Sequence, residues 1–175
     1  MSPIRRLAAL AAVVLTAALL IGAAGPAQAH GGKTVTLPLR GSFVGHFTTV
    51  TPPPQLTLDD FGTGHATVLG RFTARMSVLI DFDHPVNADG DLPVVKSGFL
   101  QTVAGDRVFF DLTGVFDISE GVGIEFFTIT GGTGRFRGAS GSGDYTVPPP
   151  TFLDPETGNG FGPEIFDGVI TLPRR

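Results

Sequence analysis

The chain contains no cysteine and no tryptophan, one tyrosine, and only 16% charged residues among its 175 positions. Without cysteine no disulfide can form, so packing and hydrogen bonds must hold the fold together. Basic residues are not in excess, because residues 30–175 hold ten Lys and Arg against sixteen Asp and Glu. Such a chain has few cations to displace counterions from a phosphate backbone, which argues against nucleic-acid binding. The mean hydropathy of +0.26 argues against a disordered chain.

Residues 1–29 have the three parts of a secretory signal peptide. A basic start is followed by an apolar run over 7–21 and by the small-x-small site Ala27-Gln28-Ala29. This order predicts an N-terminal signal helix, cleavage after Ala29 and a secreted mature chain. An uncleaved membrane anchor is the alternative, because the apolar run reaches the lower length limit of a spanning helix. Pro26 and the cleavage site favour export, with no stable membrane insertion after cleavage.

Residues 30–175 are expected to form a single all-β domain. Only five alanines follow residue 29, and Gly, Pro, Thr, Val and Phe, which favour strands and turns, dominate. From Val35 to Phe47 the odd positions are apolar or Gly and the even ones mostly polar. The even positions of 65–82 are apolar too, and the length of this segment predicts a bend or bulge near Gly70. Further strands are predicted at 94–103, 107–116, 122–130, 143–147 and 165–172.

Short turns rich in Gly and Asp separate most of these strands, and two longer loops are predicted at 51–60 and 148–163. Each of the two carries a run of three prolines, which indicates a stiff loop rather than a domain boundary. About eight strands at short spacing, each with one apolar face, predict an antiparallel sandwich or a small closed barrel.

The sequence GGTGRFR at 131–137, followed by Ala139 and Gly141, resembles a segment of plant dirigent proteins. It is similar, more loosely, to the Gly-rich turn of allene oxide cyclases. Residues 64–73 and 105–110 resemble segments of small exported bacterial proteins in the same superfamily. The resemblance covers about 60–147 and implies an antiparallel eight-stranded barrel. It carries over no site residue, because the polar groups that the catalytic family members use inside the barrel have no match here.

The Gly-rich turn does not have the spacing of a phosphate-binding loop. Gly132 and Gly134 are followed by Gly138, which breaks the dinucleotide pattern, and no Lys is near for a P-loop. The turn is therefore interpreted as structural, and no cofactor is expected.

One acidic segment could hold a metal. Asp81, Asp83, Asn87, Asp89 and Asp91 lie close together in sequence but out of EF-hand register. An irregular calcium site is one interpretation, and a hairpin loop stabilised by Asx-turns is the favoured one.

The four histidines (30, 46, 65 and 84) have no metal-binding spacing, so they are expected to be solvated and no metal site is predicted. Serine hydrolase spacing is also missing around Ser140 and Ser142.

Glu125 is the acid to watch, because it lies in the otherwise apolar segment 122–129. An inward side chain would have a raised pKa and would be a candidate acid. We expect the outward, solvated orientation instead. The catalytic residues are thus left unknown.

The sequence leaves three hypotheses about function: a binding module, an enzyme and a surface role. The first is an exported, non-enzymatic β-barrel module that binds an apolar small molecule or a surface partner. It rests on apolar strand faces and on the lack of a convergent polar set. The alternative, which the resemblance implies, is a dirigent-like or cyclase-like enzyme or auxiliary that acts on an apolar substrate inside the barrel; Glu125 and Arg135 are then the polar groups to test. A surface role as a homo-oligomer, assembled through outward apolar strands, is the third.

Overall fold

The alternating segments form strands in the computed structural model, which describes residues 33–174. Nine strands and one short 3-10 turn, at Gly134–Phe136, make up the described part of the chain. The strands are β1 Thr34–Thr51, β2 Gln55–Ala66, β3 Gly70–Asp81, β4 Leu92–Thr102, β5 Arg107–Asp117, β6 Val122–Gly132, β7 Ser140–Val147, β8 Phe152–Leu153 and β9 Gly160–Pro173.

Eight of these strands close into an antiparallel barrel. The order is β1-β2-β3-β4-β5-β6-β7-β9, and β1 pairs back with β9 from Thr34↔Pro173 to Phe47↔Gly160. The two-residue β8 pairs only with the start of β9. The predicted eight-stranded antiparallel barrel is confirmed, and closure leaves no open edge between β1 and β9.

The predicted apolar faces point into the barrel. Phe72, Met76, Val78 and Ile80 of β3 are all buried, as are Leu39 and other inward residues of β1. The larger core cluster fills the half of the barrel near the ends of β2 and β4. A smaller cluster of Val78, Ile80, Leu92 and Val94 lies toward the other end.

The prediction of one bent strand over 65–82 was wrong. β2 ends at Ala66, a turn of three residues follows, and β3 begins at Gly70, whose φ of +70° suits glycine. Ala66 and Gly70 face each other across the hairpin. Ala66 and Gly70 are four residues apart, so even-numbered residues point inward both before and after the turn. Two strands joined by a hairpin therefore show the same alternation as one long strand.

Both long loops were predicted too long. Strand β2 begins at Gln55, directly after the triple proline, and β9 begins at Gly160. The alternation is hard to see there because Asp60 and Glu164 occupy inward positions where apolar residues were expected.

The barrel has two different ends. Connections 52–54, 82–91, 118–121 and 148–159 lie at one end, and connections 67–69, 103–106 and 133–139 lie at the other. Within residues 33–174 no helix is long and apolar enough to cross a lipid bilayer. The predicted signal peptide, its helix and the cleavage site lie outside the described residues.

Candidate functional site

A cavity of about 490 Å³ opens at the barrel end formed by the four connections. This volume is in the range of small-molecule sites. Its walls are the inward side chains of the smaller core cluster and its neighbours: Leu56, Leu58, Val78, Ile80, Val94, Phe116 and Val147. Water in such a pocket meets apolar surface on most sides, so an apolar molecule is the favoured occupant.

The rim of the cavity is stiff. Pro52 and Pro53 stand on one side, and Pro148 and Pro150 on another. Residues 155–158 also line the cavity. Their loop is fastened to β1, because the backbone N–H of Thr49 donates a 2.8 Å hydrogen bond to Asn159 Oδ1. The opening is therefore largely preformed.

Five polar side chains stand together at the bottom of this cavity, inside the barrel. Asp60, Lys96, Glu125, Tyr145 and Glu164 are each no more than 6% exposed. They come from five strands: β2, β4, β6, β7 and β9. Every second residue of these strands points inward, and the five polar residues occupy such inward positions, as their apolar neighbours do. All but Tyr145 line the cavity. We call these five residues the polar floor.

Lys96 is the cation at the centre of the polar floor. Its Nζ lies 2.8 Å from Glu125 Oε1 and 3.7 Å from Glu164 Oε2. The same atom stands 4.9 Å from the ring centroid of Tyr145, a cation–π distance. The ammonium is thus held by carboxylates on two sides and by an aromatic face on a third.

Tyr145 supports the floor from below. Its hydroxyl donates a short hydrogen bond to Glu164 Oε2 and lies 3.8 Å from Met76 Sδ. The ring stacks on Phe166 with a centroid distance of 6.5 Å and an interplanar angle of 6°. A side chain fixed by its ring and by its hydroxyl holds the Glu164 carboxylate in one orientation.

Asp60 and Glu164 are brought side by side by a glycine. A Cβ at Gly45, between them on β1, would clash with Glu164 Oε1 and lie 2.8 Å from Asp60 Oδ1. Only a residue without a side chain leaves room for two carboxyl groups at this point of the wall.

The pKa values in the floor follow from burial and from this crowding. Burial, and then the nearby Glu164 carboxylate, raise the pKa of Asp60 to about 9. Burial also raises the pKa of Glu125, although Lys96 opposes that shift. Burial alone would lower the pKa of Lys96, but Glu125 and Glu164 outweigh it and the pKa is raised. The pKa of Tyr145 is raised well above its usual value by burial and by Glu164. At neutral pH Asp60 therefore keeps its proton and Lys96 its charge.

Two oxygens of the floor are left without a partner. Asp60 Oδ1 and Glu125 Oε2 are buried and accept no hydrogen bond from the described residues. A buried, unpaired carboxyl oxygen costs free energy, about 1–3 kcal/mol for a neutral group and more for a charged one. Both residues line the cavity, so a ligand is able to supply the missing donors.

Two expectations about the site were wrong. Glu125 points inward, not into solvent, because its neighbours Gly123 and Phe127 share the buried face of β6. The expected lack of a convergent polar set, on which the non-enzymatic hypothesis partly rested, is wrong too, because the five residues of the polar floor converge inside the barrel. Arg135 takes no part: it lies outside the barrel near Asp106, and its guanidinium donates to the carbonyls of Val68 and Leu69.

The alternation of inward and outward residues along each strand could have predicted part of the polar floor from the sequence. Val94 and Leu100 are apolar at even positions of β4, which places Lys96 on the same inward face. Asp60 was missed because it was assigned to the loop at 51–60, and Glu164 because it fell between the loop at 148–163 and the strand predicted at 165–172.

The other sequence candidates stay apart from the cavity floor. In the acidic segment, Asn87 Oδ1 accepts from the N–H groups of Asp89 and Asp91, and Asp81 Oδ1 from that of Asp83, which are Asx-turn contacts. His84 Nδ1 lies 2.9 Å from Asp81 Oδ2. No group of three or more metal-ligating side chains that could hold an ion is found among residues 33–174.

The Gly-rich segment 131–141 is a strand, a short 3-10 turn and a strand. Its glycines adopt positive φ at 131, 134, 138 and 141, and the turn buries Phe136 completely. It lies at the end of the barrel opposite the cavity, where Phe136 joins the larger core cluster.

Comparison with known proteins shows which fold this is. No protein-family model and no curated protein matches the chain. Among solved structures, the pterocarpan synthase dirigent protein PsPTS1 is similar, with a TM-score of 0.51, 12% identity, and 82% of this chain and 97% of that chain covered. The pterocarpan synthase dirigent protein GePTS1 gives 0.49 and 12%, over 85% of this chain and 90% of that chain. The chain therefore shares the eight-stranded antiparallel barrel fold of the dirigent protein PsPTS1.

Proposed function

We propose that this protein is an exported, non-enzymatic barrel module that binds an apolar small molecule in the cavity above the polar floor. The observation that carries the proposal is the combination of about 490 Å³ of space, apolar walls and two unpartnered floor oxygens. The apolar body of a ligand would be held by the walls, at about 25 cal/mol for each Å² removed from water. Its polar end would be oriented by the floor. Export is supported by the signal-peptide pattern of residues 1–29.

A neutral fluorescent dye tests this directly. N-phenyl-1-naphthylamine is titrated into the purified protein and its emission followed, and we expect saturable binding in the micromolar range. In Val94→Trp an indole is placed into the cavity, and binding should weaken at least about tenfold. Val95→Trp is the matched control, because Val94 is 3% and Val95 50% exposed on opposite faces of the same strand.

The proposal fails if the wild-type protein does not bind the dye, or if both tryptophan variants bind it as the wild type does. Thermal unfolding of both variants shows that they are folded when binding is compared.

A second candidate function is acid catalysis on an apolar substrate, as in a cyclase-like enzyme. The observation that favours it is Asp60, which with a pKa of about 9 carries a proton at neutral pH beside an apolar cavity. Such a carboxylic acid is suited to protonate the oxygen of a bound epoxide or alcohol.

Styrene oxide, a small apolar epoxide, is a suitable probe of this candidate. Consumption above the buffer rate that is lost in Asp60→Asn, while dye binding persists, would favour the enzyme. Equal consumption in both proteins would leave the binding module as the function.

A further inference from the structure

We propose that the ligand of the cavity is a cation: an apolar molecule that carries a protonated amine and places it on the polar floor. This inference rests on the proposed function and names the chemical class of its ligand.

The first observation is the charge at the cavity mouth. The four connections at this end, together with the last residues of β3 and β5, hold eight carboxylates: Asp81, Asp83, Asp89, Asp91, Asp117, Glu120, Asp154 and Glu156. Among the described residues, the same segments contain no Lys or Arg. The opposite end is different, since Arg107, Arg135 and Arg137 accompany the single acid Asp106 there.

Such a distribution gives the molecule an electric polarity along the barrel axis. A cleft lined by one sign of charge concentrates ligands of the opposite sign and speeds their association. The field at this mouth attracts cations and repels carboxylates and phosphates.

The second observation is independent and lies at the bottom of the cavity. The floor holds three carboxyl groups against one ammonium, and Lys96 is already engaged by Glu125 and Glu164. The two oxygens left over, Asp60 Oδ1 and Glu125 Oε2, belong to side chains that are buried and line the cavity. The single charge of Lys96 balances only one of the two carboxylates that it contacts, and Glu125 Oε2 has no donor. The floor therefore lacks positive charge, and it lacks a donor at Glu125.

A protonated primary amine supplies both. It has three N–H donors and one positive charge, and charge-assisted hydrogen bonds are about twice as strong as neutral ones. A neutral alcohol supplies one donor and no charge. A carboxylate would place a further negative charge beside Glu125, uncompensated in an apolar pocket.

Three ligands of the same shape separate these cases: 4-phenylbutylamine, 4-phenylbutanol and 4-phenylbutyrate. Each is used at pH 7 to displace N-phenyl-1-naphthylamine from the full-length protein. We expect the amine to bind at least about tenfold more tightly than the alcohol, and the carboxylate to bind most weakly. Raising the salt concentration should reduce the preference for the amine, because the mouth carboxylates are exposed or half-buried and salt screens them.

Three variants test which residues cause the preference for the amine over the alcohol. Glu125→Gln removes a floor charge and should narrow the ratio of amine to alcohol affinity several-fold. The double variant Glu120→Gln/Glu156→Gln changes two exposed mouth positions. It should narrow this ratio less and should reduce the salt dependence of the ratio. Asp144→Asn is the matched control, since Asp144 lies on the outer face of β7, and it should leave the ratio unchanged.

The outcomes separate the two proposals. If amine and alcohol bind equally, or the carboxylate binds best, the cation inference is overturned while binding of an apolar molecule stands. If neither the dye nor any of the three ligands binds, the proposed function itself has failed.

Discussion

Lys96 and Glu125 form an ion pair that passes over an intervening strand inside the barrel. They belong to β4 and β6, and β5 lies between them. The pair partner of Glu125 on β5 is Gly114, where an added Cβ would lie 2.8 Å from Glu125 Cγ. A glycine in the middle strand thus clears the path between ammonium and carboxylate, which meet at 2.8 Å.

Removal of this cation should be costly. Lys96→Met leaves Glu125 and Glu164 buried without their counterion, and we expect a loss of about 3–5 kcal/mol in the free energy of unfolding. Urea denaturation measures this loss. The double variant Lys96→Met/Glu125→Gln should recover part of it, because one of the orphaned charges is gone.

An exposed pair provides the comparison. Arg40 Nε lies 3.0 Å from Asp167 Oδ1, but both side chains are more than 60% exposed. Arg40→Gln should therefore cost less than about 1 kcal/mol. If Lys96→Met and Arg40→Gln lowered the free energy of unfolding equally, Lys96 would not be a buried counterion of Glu125 and Glu164.

Asp60 should make the barrel less stable as the pH rises. Its pKa is about 9 in the fold and 3.8 in the unfolded chain, so the folded state binds the extra proton between these values. Its contribution is complete below pH 3.8, is lost progressively as the pH rises from there through 9, and is gone above that value, with a slope of at most about 1.4 kcal/mol per pH unit.

The variant Asp60→Asn keeps the neutral shape and cannot ionise. Between pH 5 and pH 9 its melting temperature should fall less than that of the wild type, although Glu125, whose pKa is also raised, leaves some decline. Asp144→Asn, on the outer face, should follow the wild type. Parallel curves for all three proteins would show that Asp60 is ionised at neutral pH.

Gly45 should tolerate no side chain. In Gly45→Ala the new methyl group meets the carboxyl groups of Asp60 and Glu164, and overpacking of this kind costs about 1–3 kcal/mol. The neighbouring Val44→Ala, on the outer face, should change the stability by less than about 0.5 kcal/mol. Denaturant unfolding measures the stability of both variants. If Gly45→Ala were as stable as the wild type, the carboxyl groups of Asp60 and Glu164 would not lie against Gly45.

Export should remove residues 1–29. When the chain is expressed in a secreting host, N-terminal sequencing of the protein in the medium should begin at His30. Replacement of Ala27 and Ala29 by bulky residues should retain the precursor. A protein that stays in the membrane fraction and still begins at Met1 would contradict cleavage and favour the anchor.

The barrel could be predicted from the sequence because burial repeats every second residue. Inward positions such as Phe72 and Met76 showed the period clearly. Strand order, closure between β1 and β9, and the hairpin at 67–69 depend on which strands meet, and alternation within one segment contains no such information.

The polar floor could be predicted only in part. Lys96 lies at an inward parity that its neighbours already define, whereas Glu164 belongs to a segment whose glycines and prolines hide the strand. What no single strand reveals is that five such residues stand at the same height in the barrel. That follows from the register between strands. Glu125 was expected in solvent because charged side chains are seldom buried without a partner, and its partner Lys96 lies on a strand that is not its neighbour.

Methyl-labelled NMR spectra recorded during addition of 4-phenylbutylamine show where in the barrel the ligand binds. We expect shifts of the methyl signals of Val78, Ile80 and Val94 around the cavity, and none at Val108 and Ile170 in the filled half of the barrel. Shifts confined to outward residues such as Val95, or no shifts at saturating ligand, would contradict binding in the cavity.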